Sequence, residues 1–242
     1  MRAEQVRDIG KILFLDIETV PQHWNWEDLD PVTARLFSDK TRWEQERTER
    51  SVQQIYADRA GILAEFGKII CIGAAYISAD REGPRMRVTS FQGDDEQLLL
   101  RQFTDLLQQH YNTDEHWLCG HNIKEFDLPY IARRCIVQRV RLPRLLDNSG
   151  SKPWEVGHID TMSLWCFGDR KAFTSLSLLA HILGVPTPKD DISGADVARV
   201  YHVDRDLDRI AMYCRKDVIA TAQVYLRLTG REPIPSEHII TI

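Results

Sequence analysis

The sequence lacks any pair of cysteines at metal-binding spacing. Cys71, Cys119, Cys135, Cys166 and Cys214 form no CxxC and no short Cys–His pair, which excludes the usual structural zinc modules. Odd in number and scattered through apolar stretches, they read as buried free thiols of a reducing compartment. An excess of positive charge is also missing. Thirty-one Lys and Arg face 36 Asp and Glu, for a net charge of −5, which counts against a protein that simply coats nucleic acid. The balance suits an enzyme that holds divalent cations: without four site carboxylates the net charge would be −1. No long apolar run is present either. The longest stretch free of Asp, Glu, Lys and Arg, Ala172–Pro188, is broken by hydroxyl residues, His181, Gly184 and two prolines, so a bilayer span is not expected. The opening MRAEQVRDIGK carries charges where a secretory signal would be apolar, and a cytoplasmic protein is expected. Thirteen glycines and ten prolines are too few for a collagen-like or low-complexity chain.

What is there is a globular chain of 242 residues, 43 % hydrophobic, with material for a sizeable core. No repeat and no linker divides it, and a single domain spanning 1–242 is expected. Lys11–Ile17 is a nearly continuous apolar run, as in a central strand covered on both faces. Lys68–Ser78, Arg85–Phe91 and Trp117–Gly120 read as further strands, with a brief extended piece at His158–Asp160. Asp94–His110, Leu128–Arg139, Thr161–Phe167, Ser175–Leu183, Ala195–Tyr201 and Leu207–Thr229 read as helices. Strands first and alternation later suggest an α/β architecture, a mixed sheet flanked by helices. An insertion at about 20–65 separates the first two strands. It holds Trp24, Trp26 and Trp43 and a mixed-charge helical run over Thr41–Leu63, and insertions of this length are often functional.

Three short patterns carry the chemistry. Asp16 and Glu18 lie two apart on the most apolar strand, so both carboxylates point to one face. Burial sharpens their mutual repulsion, and a divalent cation resolves it; the plainer alternative is a strand end fraying into solvent. Asp127 follows Asn122 and Phe126 in GHNIKEFDLP, where it either caps the next helix or joins a metal site. Tyr213 and Asp217 are four apart and share a helix face, as a functional pair or as a core-edge tyrosine beside a solvated acid.

Taken in order, D-x-E, N-x₃-F-D and Y-x₃-D resemble the DEDD superfamily of 3′–5′ exonucleases in its tyrosine subclass. The histidine subclass would carry its histidine at the position of Met212. GHNIKEFDLPYIARR and YCRKDV are similar to the proofreading exonuclease domain of family-B DNA polymerases. AEFGKIICIGAAYI and the SLSLLAHILGVP to GADV region are closer to stand-alone bacterial predicted exonucleases related to that domain.

The resemblance implies a ribonuclease-H-like fold with a central mixed five-stranded sheet. It implies catalytic Asp16, Glu18, Asp127, Tyr213 and Asp217, with the four carboxylates binding two divalent cations, Mg²⁺ or Mn²⁺. Asp16 and Asp217 would hold the ion on the nucleophile side, Glu18 would contact metal or water, and Asp127 would serve the second ion mainly through water. Thr19 and Val20 would meet the terminal nucleotide, and Asn122 and Phe126 would bind substrate or position the second motif. The implied product is a nucleoside 5′-monophosphate, and the implied substrate is single-stranded DNA in preference to RNA. Partners in trans would be polymerase or repair proteins. Two other readings stay open: an exoribonuclease with the same site, and a non-catalytic module that captures 3′ ends within a repair complex.

Other residues carry weaker signals. Asp160 either supports the metal site from behind or caps the following helix. His121 and His158 read as structural. Arg133, Arg134, Arg139, Arg141 and Arg144 offer either a phosphate-contacting run or a solvated face. Trp24 and Trp26 either stack bases of a single strand or pack the insertion onto the sheet.

Overall fold

A computed structural model of the chain describes residues 7–80, 83–169, 173–186 and 192–242. Part of the charged N-terminal stretch and part of Ala172–Pro188 lie outside the described residues. Six strands form one mixed sheet: β1 (Ile12–Pro21), β2 (Gly67–Asp80), β3 (Gly83–Gln92), β4 (Trp117–Gly120), β5 (Ile159–Asp160) and β6 (Ile239–Thr241), in the order β5-β4-β1-β2-β3-β6. β2 runs antiparallel to both β1 and β3, while β1–β4, β4–β5 and β3–β6 are parallel. The five expected strands are present. The sixth corrects the count: β6 is a three-residue edge strand after a proline-rich turn, too short to register as periodicity.

β1 is central because it can be buried from both sides. Leu13, Leu15 and Ile17 point into one core with Leu99, Leu100 and Phe103 of α3 (Glu96–His110) and Leu128 and Ile131 of α4 (Asp127–Val137). Ile12 and Phe14 point the other way, onto Val218, Ala222 and Tyr225 of α8 (Leu207–Leu228). Toward its end, Val20 shares a cluster with Ile70, Cys71, Ile210 and Cys214. The chemistry-bearing end of β1 is thus clamped between α4 and α8.

The insertion between β1 and β2 builds two helices, α1 (Pro31–Thr48) and α2 (Val52–Arg59). The expected single run over Thr41–Leu63 is corrected here. Asp30 caps α1 at Pro31, well before Thr41, and Glu49 ends it in a left-handed conformation at φ 54°. Ser51 then opens α2 with a reciprocal cap to Gln54. Phe37, Ile55, Tyr56, Ala60 and Phe66 form a small core of their own, flanked by Trp26 and Leu29. Tyr130 donates to the Gly61 carbonyl at 2.7 Å and Arg134 to the Ala64 carbonyl at 2.8 Å, so α4 pins the insertion's exit.

The remaining helices are α5 (Thr161–Cys166), α6 (Leu176–Ile182) and α7 (Val197–Arg199). α7 is shorter than the expected Ala195–Tyr201 because the chain widens into a π-helical turn over Val200–Asp204, closed by Arg205 at φ 58°. Among the described residues no helix is long and apolar enough to cross a membrane.

Candidate active site

Strand alternation puts Asp16 and Glu18 on the α8 face of the sheet. Ligand atoms of Asp16, Glu18 and Cys214 of α8 all lie within 4.8 Å of one another. Ile17, between the two acids, sits in the opposite core. A β-bulge follows at once: Glu18 pairs with Cys71 but Thr19 with Ile69, so Ile70 is the extra residue. Bulges of this kind re-aim side chains and end regular pairing beside functional sites.

α4 supplies the second motif. Its expected helix cap is corrected: α4 begins at Asp127 itself, the cap position falls to Phe126, and that residue makes no side-chain cap bond. Its Oδ1 accepts the backbone N–H of Ile17 at 3.2 Å. β1 outruns β4, and the carboxylate takes the place a further β4 residue would have held in the ladder. That bond fixes Asp127 against the strand of Asp16 and Glu18.

The loop leading to Asp127 is held by Asp160. One carboxylate oxygen accepts from the amides of Met162 and Ser163, capping α5, and also from Asn122; the other accepts from Lys124 at 3.3 Å. The cap reading of Asp160 holds, and the same side chain also anchors the loop that leads to Asp127. Asn122 adopts φ 61°, a left-handed conformation for which asparagine is among the favoured side chains. Its carbonyl accepts from Glu125 and Phe126. The Phe126 ring lies 5.4 Å from that of Tyr130 and packs on the core, so it shapes the motif from behind.

α8 brings the third motif. Tyr213 shares a side-chain hydrogen bond with Asp217, one turn along. The close approach of α8 depends on Gly73, the residue opposite Asp16 on β2. A Cβ there would lie 2.7 Å from Val218 Cγ2, 3.0 Å from Cys214 Sγ and 3.2 Å from the Cys214 carbonyl. Cys214 Sγ rests 3.6 Å from Asp16 Oδ2 and 3.5 Å from the Asp16 carbonyl. Burial and neighbouring Cys71 hold this thiol protonated, so it donates to Asp16. Gly73 and Cys214 escaped the sequence reading. A glycine inside an apolar strand was the available signal for the first; the second carried none.

The electrostatics follow from this crowding. Desolvation pushes the Asp16 carboxyl well up, and the charges of Glu18, Asp127 and Asp217 add to it. Glu18 is raised by desolvation, then by Asp217, Cys71 and Asp127. Asp127 is pushed up to about 7, chiefly by burial, while its own amide and that of Ile17 oppose the shift. The Tyr213 hydroxyl is raised by burial and then by Asp217, Glu18 and Asp16. Asp16 and Glu18 are raised by their neighbours' charges as well as by burial, and a hard divalent cation is the counter-charge that suits such oxygen donors.

A family described as "predicted 3′–5′ exonuclease related to the exonuclease domain of PolB" matches residues 62–232. The chain belongs to this family. The matched span holds Asp127, Tyr213 and Asp217 but begins after Asp16 and Glu18, which join them only in space. A DNA polymerase from Pyrococcus glycovorans is 23 % identical over 197 residues, covering 72 % of this chain. The matched region is 23 % of the polymerase's length. The six-stranded mixed sheet flanked by helices is consistent with a ribonuclease-H-like exonuclease fold for this predicted exonuclease.

The other candidates separate. Thr19 hydrogen-bonds the Tyr130 hydroxyl. The Val20 side chain is fully buried in the cluster beside α8, so the expected side-chain contact with substrate is corrected; only its backbone is left for that role. Arg134 is also corrected. It belongs neither to a phosphate-contacting run nor to a solvated face: it is 2 % exposed and bidentate to Glu96 at 2.9 and 2.5 Å. Arg144 pairs with Asp114, while Arg133, Arg139 and Arg141 are exposed. Trp26 packs edge-on against Phe37 and Tyr56. His158 is buried and neutral, donating to the Leu145 carbonyl and accepting from Leu118. His121 bridges Thr161 and the Thr174 carbonyl.

Proposed function

We propose that this chain is a metal-dependent 3′–5′ exonuclease of the tyrosine DEDD type, one domain in all, releasing nucleoside 5′-monophosphates from single-stranded DNA. The observation that carries it is the meeting of Asp16, Glu18, Asp127, Tyr213 and Asp217 from β1, α4 and α8 at one point. Kinship with a polymerase's exonuclease domain supports DNA over RNA. Free cysteines among the described residues support a reducing compartment, the cytoplasm.

The carboxylates fit two divalent cations, Mg²⁺ or Mn²⁺, which when bound supply the positive charge that steadies the attacking and leaving oxygens of an in-line displacement. Asp16 and Asp217 would hold the first, Glu18 would reach that ion or the water beside it, and Asp127 would serve the second through water. Tyr213 keeps its proton at neutral pH, so it is no general base. Its O–H donates to Asp217, and its oxygen accepts from the attacking water and aims it. The water oxygen bonds to phosphorus and gives up a proton to solvent, the P–O3′ bond breaks and O3′ takes up a proton from solvent, and the phosphate leaves on the 5′ side of the departing nucleoside.

The test is incubation with 5′-labelled single-stranded DNA and RNA of one sequence, in Mn²⁺ or EDTA, beside Glu18→Ala. A DNA ladder shortening from the 3′ end, lost in EDTA and in the variant, is expected. A ladder on RNA alone moves the substrate to RNA. Binding with no ladder on either strand overturns the enzyme reading in favour of a 3′-end-capturing module.

A further inference from the structure

Beyond the carboxylates, the end of β1 leads to an aromatic pair that the mechanism does not use. Trp24 is 40 % exposed and, unlike Trp26, contributes to no core cluster among the described residues. Its ring lies 5.5 Å from that of His202, tilted by 34°, within the range of offset aromatic packing. His202 is fixed from behind. Its Nε2 donates to the Pro21 carbonyl at 2.9 Å, and its ring meets Tyr201 edge-on at 4.8 Å. It stands in the π-helical turn Val200–Asp204, a rare geometry frequent at functional sites. Lys68 and Arg205 lie near it as positive groups. Lys68 is bound to the Tyr201 hydroxyl at 2.8 Å, and that hydroxyl donates to Asp94. Pro21, which holds His202, follows Glu18 by three residues of extended strand, about 10 Å.

An exposed indole on a braced imidazole, edged by cations and anchored at Pro21, about 10 Å of strand beyond Glu18, has the make-up of a single-strand stacking platform. Resting on the exonuclease reading above, we propose that Trp24 and His202 stack the bases just upstream of the 3′-terminal nucleotide. The platform would hold a single strand in register for cleavage, and the base, not the sugar or phosphate, is what it recognises.

The test uses the full chain and three probes. Binding of fluorescent dT₁₀ is measured by anisotropy in EDTA, where no cleavage occurs. Binding is repeated with dT₁₀ abasic at the second and third positions from the 3′ end. Hydrolysis of thymidine 5′-monophosphate p-nitrophenyl ester in Mn²⁺ reports the acids alone, since it has no upstream base. Trp24→Ala should weaken dT₁₀ binding about ten-fold, within the range for one base on one aromatic. It should bind the abasic strand as the wild type does and leave ester hydrolysis and melting temperature unchanged, while Trp24→Phe retains most of the dT₁₀ affinity. Equal dT₁₀ binding by wild type and Trp24→Ala overturns the platform. So does an equal loss on intact and abasic strands. Failure of the wild type to hydrolyse the ester counts against the exonuclease reading, and the binding arms still decide the platform.

Discussion

Gly73→Ala tests whether the spacing between α8 and β2 sets the geometry of the proposed active site. The new Cβ would sit 2.7 Å from Val218 Cγ2, where ordinary contact begins at 3.4 Å, so α8 must retreat by about 0.7 Å or Val218 must turn. Turning does not suffice, because the Cys214 carbonyl stands at 3.2 Å and is backbone. The retreat falls on the helical turn between Tyr213 and Asp217, directly across from Asp16. Overpacking of this size costs about 1–3 kcal/mol. In a chain of this length that lowers the melting temperature by roughly 2–12 °C. The effect on catalysis is larger than stability alone implies, since a displacement near 1 Å can cost on the order of 100-fold. The assay pairs a thermal melt with the initial rate on labelled single-stranded DNA at a temperature where both proteins are folded. The expected result is a modest loss of stability with a 10- to 100-fold lower rate. Val218→Ala added to Gly73→Ala removes the closest clash and should restore part of both. Full activity in Gly73→Ala, or additive losses in the double variant, would refute the spacing argument.

Titrating Mn²⁺ into the wild type should raise the melting temperature. At a hundred times the dissociation constant the gain is about 2.7 kcal/mol, and Asp217→Asn should lose most of it; a flat melting curve counts against the cation site. Tyr213→Phe should retain cation-induced stabilisation and more hydrolysis than Asp217→Asn, a ranking that single-turnover rates decide. Arg134→Ala strands the buried Glu96 carboxylate and should cost about 3–5 kcal/mol by chemical denaturation, whereas exposed Arg133→Ala should cost almost nothing. His158 has its pKa lowered by burial. Its contribution to stability is therefore full above the ordinary value of 6.5 and is lost as pH falls below it toward the folded value. The raised site carboxyls act with the opposite sign over the same range, so the readout is the difference between urea melts of wild type and His158→Gln. The wild type should lose more stability, or gain less, than the variant from pH 8 to pH 5, and parallel pH profiles would refute the role of His158.

The site was legible where a local rule acts on adjacent residues. Two acids two apart on an apolar run must share a face, and a tyrosine four before an aspartate must share a helix side. The strands were legible for the same reason, since β1, β2 and β3 are long enough to show their burial. Asp127 was legible as a residue of interest but not in its local role. A helix-cap pattern is written in neighbouring residues, while its actual partner, the Ile17 amide, is 110 positions away. Arg134 misled in the same way. In sequence it is one of a run of arginines, and only folding delivers Glu96 to it. β6, the π-turn and the break at Glu49 rest on five residues or fewer each, below the length at which periodicity has meaning.

These long-range partners also explain why the acids gather where they do. Regular pairing is lost on one side of β1 and shifted on the other: β4 pairs only as far as Phe14, and the bulge at Ile70 moves the β2 register between Glu18 and Thr19. A strand losing its neighbours leaves backbone donors that need partners, and on the β4 side Asp127 supplies one. On the β2 side the opening left by Gly73 admits α8, carrying Tyr213 and Asp217. Asp127 is thereby held by the Ile17 amide, Asp16 lies against the Cys214 thiol, and Asp217 shares a hydrogen bond with Tyr213. The cluster can stay assembled against its own repulsion because strand ladder, helix packing and the Asp160-bound loop fix it independently. That independence makes the asymmetry testable. Asp127→Asn keeps an acceptor for the Ile17 amide, so it should leave the melting temperature in EDTA unchanged or raised while lowering the rate in Mn²⁺. Asp127→Ala removes the acceptor and should cost about 1–3 kcal/mol in EDTA as well. If both variants melt alike in EDTA, the ladder role assigned to Asp127 is wrong.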